Sequence, residues 1–287
     1  MIFASALLLA AYDIAKKESV RANRVFTVLF LTSLCGFSSV AAILAATGRM
    51  AATLALAGNT EAMAALAVKS LIVGTSWTFA YWALKTIPVT VMAPIRATGP
   101  VWTFAGAVAI FAEMPTPMQL AGFALAFGGC ILFSLAARFE GFTLRTGAIW
   151  LAIAGTLCGS VSALYDKFIL HRLAIAPESV LFWFMLGMAI LYLAADVVTR
   201  MLHADKTPFQ WRKTIPFVGV LLAASDFCYF SAVAHPDAHI SILSTMRRTS
   251  VVFTFLAGGA IFHETNLKRK GIALAAILAG VVVLALA

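Results

Sequence analysis

Arginine and glutamate recur at one spacing in two apolar stretches of this sequence. Arg96 lies seventeen residues before Glu113, and Arg247 lies seventeen residues before Glu264. The two stretches match at an offset of 151 residues: PVTVMAPIRATGPVWTFAGAVAIFAE (88–113) and HISILSTMRRTSVVFTFLAGGAIFHE (239–264). A guanidinium group binds carboxylate or phosphate through two parallel hydrogen bonds. The repeated arginine therefore indicates a duplicated cationic site for an anionic group.

Both arginines lie deep inside segments that are long enough to cross a bilayer. Each is about nine residues from the start of its segment, which is ~13 Å at ~1.5 Å per residue. A charge at that depth costs roughly 2.5–3.5 kcal/mol, so we expect both side chains to face a cavity. Arg248 is ~100° further round the helix and is a candidate for substrate binding or for a salt bridge. The alternative is that the arginines are structural and are neutralised by Asp13, Asp166, Asp196 or Asp226.

Other polar and aromatic residues of the apolar segments are candidates for the same cavity. We expect Asp226 to pair with an arginine or to carry a coupling proton, and Asp13 and Asp166 to take part in charge pairing. Lys69 either lines the cavity or extends its ammonium group towards the membrane surface. Three aromatic residues are candidates for the cavity wall and otherwise face lipid or pack: Trp77, Tyr81 and Trp102.

The composition excludes an ordinary soluble domain. Hydrophobic residues make up 62% of the 287 residues and charged residues only 11%, against ~25% in soluble domains. We therefore predict an all-α integral membrane protein, because spanning segments must satisfy their own backbone hydrogen bonds. The net charge of +9 is expected in short loops and not at a nucleic-acid interface. Since no catalytic motif or repeated metal-ligand cluster is present in the sequence, we predict no enzyme activity, no metal and no cofactor.

Ten hydrophobic segments predict ten transmembrane helices. They are 1–15, 24–47, 62–84, 88–112, 116–137, 147–170, 179–202, 214–234, 239–262 and 267–287. The second five repeat the first five, since Tyr12-Asp13 matches Tyr165-Asp166 at an offset of 153 and later segments match at 151. Five is odd, so we predict two inverted five-helix repeats, 1–137 and 147–287, in a single transport domain.

Two details of the repeat concern the ends of its helices. Tyr12 and Tyr165 lie near segment ends and are expected in the aromatic belts of the membrane. Met1 aligns with Ala154, well inside the sixth helix, so we expect the first helix to be about two turns short. A late start codon or a trimmed terminus would explain this difference.

Positive charge is distributed unevenly between the two sides of the predicted bundle. Fourteen lysines and arginines, beginning with Lys16 and Lys17, fall in one set of loops, and only Arg49 and Arg172 fall in the other. By the positive-inside rule the basic loops are cytoplasmic and both termini are outside. We predict a multi-pass protein of the cell (inner) membrane, surrounded by the lipid bilayer and present as a monomer or homodimer.

The ten-helix count, the five-plus-five repeat and the glutamates that close helices 4 and 9 resemble the drug/metabolite transporter superfamily. Glycine-containing apolar helices follow these glutamates, with Gly122, Gly128 and Gly129 in one repeat and Gly271 and Gly280 in the other. The likeness is closest to EamA-type members, while arginines in the middle of helices 4 and 9 are similar to the triose-phosphate and sugar-phosphate translocator branch. The resemblance implies a secondary carrier that works by alternating access, with its binding cavity between the halves.

These observations predict an exporter or antiporter of a small organic anion that bears a phosphate or carboxylate group. Transport would be coupled to protons or to a counter-substrate. One alternative is an exporter of amino acids or other zwitterionic metabolites, in which one arginine holds the carboxylate. A lipid-phosphate flippase is another. Two arginines in one cavity favour a dianion, one arginine favours a zwitterion, and a groove open to the bilayer favours a lipid.

Overall fold

The computed structural model describes residues 1–99, 101–102, 116–138, 147–203, 207–235, 247, 249–262 and 267–286. Within these ranges the chain is helical and contains no strand. The helices are α1 (Ile2–Val20), α2 (Val25–Ala46), α3 (Met50–Ala55), α4 (Thr60–Thr86), α5 (Val89–Ala97), α6 (Pro117–Arg138), α7 (Gly147–Lys167), α8 (Pro177–Met201), α9 (Thr214–Val233), α10 (Ser250–Ile261) and α11 (Leu267–Leu286). A 3-10 turn (Leu56–Gly58) precedes α4, and a π-helical turn (Phe168–Arg172) continues α7.

Each of the ten predicted segments overlaps one of these helices, and the prediction of an all-helical chain is confirmed for the described residues. Within the part of the chain that the structure describes, five helices are long and apolar enough to cross a membrane: α2, α4, α7 with its π-helical turn, α8 and α9. Ten spans remain a prediction. The short α3 was not predicted, and α1 extends to Val20, five residues beyond its predicted end. The extension places Lys16 and Lys17 inside the helix, where both ammonium groups find acceptors.

Contacts between helices follow a two-fold pattern. The spans α1, α2, α4, α5 and α6 correspond in order to α7, α8, α9, α10 and α11. Three contacts join a helix to its own counterpart, namely α2 with α8, α5 with α10 and α6 with α11. Two more contacts are related by the repeat. Replacing each helix by its counterpart turns the contact of α1 with α9 into a contact of α7 with α4, which is also present. A two-fold relation between the halves would produce this set of contacts.

Glycines allow the closest helix crossings. A Cβ atom on Gly219 of α9 would lie 2.2 Å from the carbonyl oxygen of Thr32 on α2. A Cβ atom on Gly280 of α11 would lie 2.3 Å from the backbone nitrogen of Ala126 on α6. Both separations are shorter than any van der Waals contact, so only glycine fits. Close backbone approach of this kind supplies packing energy between helices where lipid removes the hydrophobic driving force.

Two lysines fix the junction between α4 and α5. Lys17 of α1 donates hydrogen bonds to the carbonyl oxygens of Leu84 and Ile87, at 2.7 and 2.8 Å, and so caps the last turn of α4. Lys270 of α11 is fully buried and donates to Thr90 Oγ1 at 2.7 Å in the first turn of α5. These hydrogen bonds fix the position where α5 begins. Because α5 carries Arg96, contacts with α1 and α11 set the depth of Arg96.

Candidate functional site

A cavity of about 200 Å³ lies between α1, α4, α5, α7 and α9. At ~30 Å³ per water molecule it would hold roughly seven waters, which is less than the ~300–1,000 Å³ of sites for drug-sized ligands. Its charged lining residues are Lys16, Lys69, Arg96, Asp166, Asp226 and Arg247. Aromatic side chains from α1, α4, α8 and α9 complete the wall: Tyr12, Trp77, Tyr81, Phe184, Tyr229 and Phe230. The cavity is therefore small, aromatic and strongly charged.

One group of charges, the first cluster, consists of Asp13, Lys16 and Arg96. Oδ1 of Asp13 accepts a hydrogen bond from Lys16 Nζ at 2.9 Å and another from Nη1 of Arg96. The Lys16 ammonium also lies 4.5 Å from the ring centroid of Tyr12 and 5.4 Å from that of Tyr81. The Lys16 side chain is 3% exposed, whereas the Arg96 side chain is 23% exposed. Arg96 is thus the cation of this cluster that a ligand can reach.

The second cluster consists of Lys69, Asp166, Asp226 and Arg247. Lys69 forms an ion pair with Asp166 between α4 and α7, and Arg247 pairs with Asp226 of α9. Asp166 also lies within electrostatic reach of Asp226 and Arg247, so the two pairs form one network. The Lys69 side chain is 2% exposed and that of Arg247 is 18% exposed. As in the first cluster, the arginine is the more exposed of the two cations.

Aromatic rings support the cations of the second cluster. The guanidinium carbon of Arg247 lies 4.1 Å from the ring centroid of Tyr229. The Lys69 ammonium lies 4.8 and 4.9 Å from the ring centroids of Phe184 and Phe230. A cation over a desolvated ring gains about 2 kcal/mol. These rings therefore offset part of the cost of holding charge at this depth.

A narrow slot of about 10 Å³ lies behind the first cluster. Asp13, Arg96 and Thr254 contribute its polar groups. Thr254 is 3% exposed, and its Oγ1 has no hydrogen-bond partner among the described residues. The slot is close to the smallest volume that holds one water molecule, so substrate cannot enter it. Asp13 consequently meets the ligand side of the cluster only through Lys16 and Arg96.

The described cavity charges do not balance. Lys16, Lys69, Arg96 and Arg247 supply four formal positive charges, and Asp13, Asp166 and Asp226 supply three negative charges. Charges in an enclosed, poorly solvated space interact more strongly than charges in water. The arrangement can accept an anion through the exposed parts of two arginines. Among the described residues no group of three or more metal-ligating side chains occurs.

Most of the site residues predicted from the sequence meet in this cavity. Seven line it directly: Lys69, Trp77, Tyr81, Arg96, Asp166, Asp226 and Arg247. Asp13 lies behind Arg96 and lines the slot. Trp102 does not line the cavity; it is 37% exposed and its indole donates to Thr98 Oγ1 at 2.9 Å. Arg248, Glu113, Glu264 and His239 lie outside the described residues.

Three interpretations of single residues are corrected. Tyr12 does not lie in an aromatic belt, because it is 3% exposed and lines the cavity. Lys16 does not belong to the cytoplasmic loop, because it is buried in α1 beside Asp13. Lys69 does not extend towards the membrane surface, because Asp166 and two rings hold it in the interior. The spacing of Asp13 and Lys16, which puts both on one helix face, was a usable signal for the second of these.

Both arginines form ion pairs within the protein, as expected if they are structural, and both also line the cavity. Arg96 is paired with Asp13 and Arg247 with Asp226. Both arginines nevertheless line the cavity and keep part of the side chain exposed. A guanidinium has five N–H donors, so one ion pair leaves capacity for a ligand. Pairing within the protein and exposure to the cavity are therefore compatible.

Comparison with known proteins identifies related sequences by family only. The sequence model of the family described as "EamA-like transporter family" matches this chain twice, over residues 1–135 and over residues 145–286. No curated protein matches the sequence. One solved crystal structure aligns with this chain with a TM-score of 0.66 and 19% sequence identity. The alignment covers 98% of this chain and 94% of that chain, and at this identity it bears on the fold alone.

Proposed function

The chain belongs to the EamA-like transporter family, and we propose that it carries a small organic anion, with a phosphate or carboxylate group, through the cavity between its two halves. Members of this family transport small solutes across membranes, and the chain is a multi-pass membrane protein. It is not an enzyme. The observation that carries the proposal is the excess of cations over carboxylates, among the described residues, at a cavity lined by Arg96 and Arg247.

Binding would use the cavity-facing parts of the two guanidinium groups. Nη1 of Arg96 and Nη2 of Arg247 already bond to aspartates. Nε of Arg247 is buried and has no hydrogen-bond partner within the described part of the chain, so it is not one of the donors that reach the ligand. Charge-assisted hydrogen bonds from such groups to carboxylate or phosphate are about twice as strong as neutral ones. The small volume favours a metabolite over a larger amphiphile.

Alternating access is the mechanism we propose for this carrier. The contacts that interchange when helix counterparts are exchanged suit two repeats that rock about a shared site. Our proposal includes the inverted topology, both termini outside and location in the inner membrane, on the basis of the loop charges. The family match does not single out the sugar-phosphate branch. Coupling to protons or to a counter-substrate belongs to the proposal as well.

A zwitterionic substrate is the second candidate, and one observation favours it. Arg247 lies directly beside Asp226, and both side chains line the cavity. A neighbouring acid and base can hold the ammonium and carboxylate groups of an amino acid together. A lipid phosphate is disfavoured, because about 200 Å³ cannot enclose acyl chains. A headgroup that enters alone is included in the test below.

The test is a thermal-shift screen of the purified protein with sugar phosphates, carboxylates, amino acids and short-chain phospholipids. A ligand at 100 times its Kd stabilises the folded state by ~2.7 kcal/mol. We expect anions to stabilise the wild type and to lose this effect in Arg96→Ala and Arg247→Ala. The control is Arg49→Ala, because Arg49 pairs with Glu178 away from the cavity. Equal stabilisation of all four proteins by anions would overturn the assigned site, and stabilisation by amino acids alone would favour the second candidate.

Transport itself needs a separate measurement. Proteoliposomes loaded with the best ligand of the screen should accumulate the same labelled ligand by counterflow. Arg96→Ala and Arg247→Ala should abolish the accumulation, and Arg49→Ala should preserve it. Accumulation that is unchanged in both cavity variants contradicts the proposed route.

A further inference from the structure

We propose that Ser162 on α7 contacts the substrate, and that the transported anion therefore carries a neutral hydrogen-bonding group, such as a hydroxyl or an amide, besides its phosphate or carboxylate. This inference rests on the proposed function and narrows its substrate class from organic anions in general to organic anions with a second, uncharged polar group. Simple alkyl carboxylates and alkyl phosphates do not belong to this class.

The hydroxyl group of Ser162 is buried at the cavity without a partner. Ser162 lines the cavity and is 8% exposed. Among the described residues, no hydrogen bond involves its side chain. The large majority of buried side-chain polar atoms in folded proteins are hydrogen-bonded, because a buried polar group without a partner is costly. The partner of the Ser162 hydroxyl is therefore expected inside the cavity.

Neighbouring hydroxyl groups on the same helix are bonded within the protein. Thr156 donates to the carbonyl oxygen of Ala152 at 2.8 Å, and Ser160 donates to that of Thr156 at 3.1 Å. A serine or threonine inside a helix commonly donates in this way to the carbonyl four residues earlier. Within the described part of the chain, Ser162 makes no such bond to Cys158. Both the donor and the acceptor lone pairs of its hydroxyl are therefore available to a ligand.

Small side chains make this hydroxyl accessible from the cavity. Gly159, one turn before Ser162, and Ala163, next to it, also line the cavity. A Cβ atom on Gly159 would lie 3.5 Å from the nearest atom, Oγ of Ser76, which is an ordinary van der Waals distance. The close packing of α7 against α4 thus does not require glycine at this position, whereas a larger side chain would extend over the approach to Ser162. A ligand can therefore come close to this part of α7.

The surroundings of Ser162 favour a neutral ligand group over a second charge. Asp166 lies four residues further along α7 and therefore on the same helix face. Its carboxylate is already paired with Lys69. A second ionised group at Ser162 would lose hydration without gaining an unpaired counter-charge from this pair, whereas a hydroxyl or an amide gains a hydrogen bond. The anionic group of the same ligand would bind to Arg96 and Arg247 elsewhere on the cavity wall.

The experiment compares ligands that have the same skeleton and charge and differ by one hydroxyl group. The probes are butyrate and its 2-, 3- and 4-hydroxy derivatives, all of which carry one negative charge at pH 7. If a phosphate binds best in the screen, propyl phosphate and its 2- and 3-hydroxy derivatives replace them. Affinities are measured on the full-length protein in detergent by thermal shift and by competition. The quantity of interest is the ratio of the affinity of the best hydroxylated probe to that of the plain one.

The variant is Ser162→Ala, and Ser33→Ala is its matched control. Ser33 on α2 is 2% exposed and its Oγ has no hydrogen-bond partner among the described residues, but Ser33 does not line the cavity. We expect the affinity ratio to fall by roughly five- to tenfold in Ser162→Ala, which is the effect of one hydrogen bond of ordinary strength. In Ser33→Ala the ratio should stay at the wild-type value. Because a ratio is compared, an equal loss of affinity for both probes does not affect the result.

Stability without ligand provides a second readout. Neither variant should unfold at a lower temperature than the wild type, because neither hydroxyl has a partner to lose. A clear loss of stability in Ser162→Ala, but not in Ser33→Ala, would show that the Ser162 hydroxyl has a structural partner, and the inference would be wrong.

The outcomes also separate this inference from the proposed function. If the plain probes bind as tightly as the hydroxylated ones, or if Ser162→Ala leaves the ratio unchanged, Ser162 binds only water and the inference is wrong, while the anion carrier stands. If no acid or phosphate of the series or of the screen binds the wild type, the anion carrier itself is wrong and this inference falls with it.

Discussion

The two charge clusters occupy matching positions of the sequence repeat but pair their charges differently. Asp13 matches Asp166 at an offset of 153, and Arg96 matches Arg247 at an offset of 151. In the first cluster the matched aspartate and arginine bond to each other. In the second cluster the matched aspartate, Asp166, pairs with Lys69, and the matched arginine, Arg247, pairs with Asp226. The same pair of residue types therefore does not determine the same pair of contacts.

The difference in pairing comes from the third spanning helix of each half, α4 in the first and α9 in the second. α4 contributes Lys69 and its counterpart α9 contributes Asp226, so counterpart helices bring opposite charges to the same cluster. The first cluster receives its third charge from Lys16, which lies on the same helix as Asp13. Among the described residues, the first cluster therefore contains three charged groups with one acid, while the second contains four charged groups with two acids. The predictions below test this contrast, from the largest expected effect to the smallest.

Removing the aspartate should damage the first cluster more than the second. Asp13→Asn leaves the buried Lys16 and the partly exposed Arg96 without this carboxylate, and an unmatched buried charge costs about 3–5 kcal/mol. Asp166→Asn should cost less, because Arg247 keeps its own partner Asp226 and the Lys69 ammonium keeps the rings of Phe184 and Phe230. Thermal unfolding in detergent should show a fall of at least about 6 °C for Asp13→Asn, at ~2–4 °C per kcal/mol. Equal falls in the two variants would mean that the clusters are equivalent.

The Lys69–Asp166 pair should be replaceable as a unit. Lys69→Met leaves Asp166 buried without its ammonium partner, so we expect a loss of about 2–3 kcal/mol, moderated by Arg247 nearby. The double variant Lys69→Met/Asp166→Asn removes both charges and should recover to within ~1 kcal/mol of the wild type, because buried ion pairs contribute little over apolar replacements. Denaturant unfolding of the wild type, Lys69→Met, Asp166→Asn and the double variant gives the coupling energy between the two side chains directly. Additive losses would show that the two side chains act independently.

The sequence predicts which residues meet in the cavity better than it predicts their pairing. Arg96 and Arg247 are recognisable because a charge deep in an apolar segment must find a polar surrounding. Their partners depend on how far each helix is rotated and where it crosses its neighbours, and residue spacing along one helix does not encode that. Lys16 was missed for a different reason. Beside Lys17 at the end of an apolar run, it has the same pattern as a loop charge, although Asp13 three residues earlier marks the helix face.

The fold, like the site, is only partly predictable from the sequence: the helices are predicted, but some of their ends are not. Hydrophobicity predicts the helices, because a spanning segment must pair its own backbone groups. It does not predict the end of α1, where Lys17 finds the carbonyl oxygens of Leu84 and Ile87 on α4. Nor does it predict α3, which is only six residues long and lacks the length of a span. Helix ends that depend on a tertiary partner are outside what the local pattern contains.

Stacking on Tyr229 should matter specifically to the second cluster. Tyr229→Leu removes the ring that lies 4.1 Å from the Arg247 guanidinium, and cation–π contacts contribute about 0.5–2 kcal/mol. Anion affinity should fall by roughly 2- to 30-fold, at ~1.4 kcal/mol per factor of ten. Tyr229→Phe keeps the ring and should retain most of the affinity. A loss in Tyr229→Phe as large as in Tyr229→Leu would assign the effect to the hydroxyl group instead.

The smallest effect is expected for an ion pair outside the cavity, which calibrates the two clusters. Arg49 bonds to Glu178 at 2.9 Å, a normal ion-pair geometry, but its side chain is 64% exposed. Exposed pairs typically contribute 0.2–1 kcal/mol, because water solvates the charges when the pair separates. Arg49→Ala should therefore change the unfolding midpoint by no more than a few degrees and leave anion affinity unchanged. A loss comparable to that of Asp13→Asn would mean that burial does not set the energies of these pairs, and the contrast between the clusters would then need another cause.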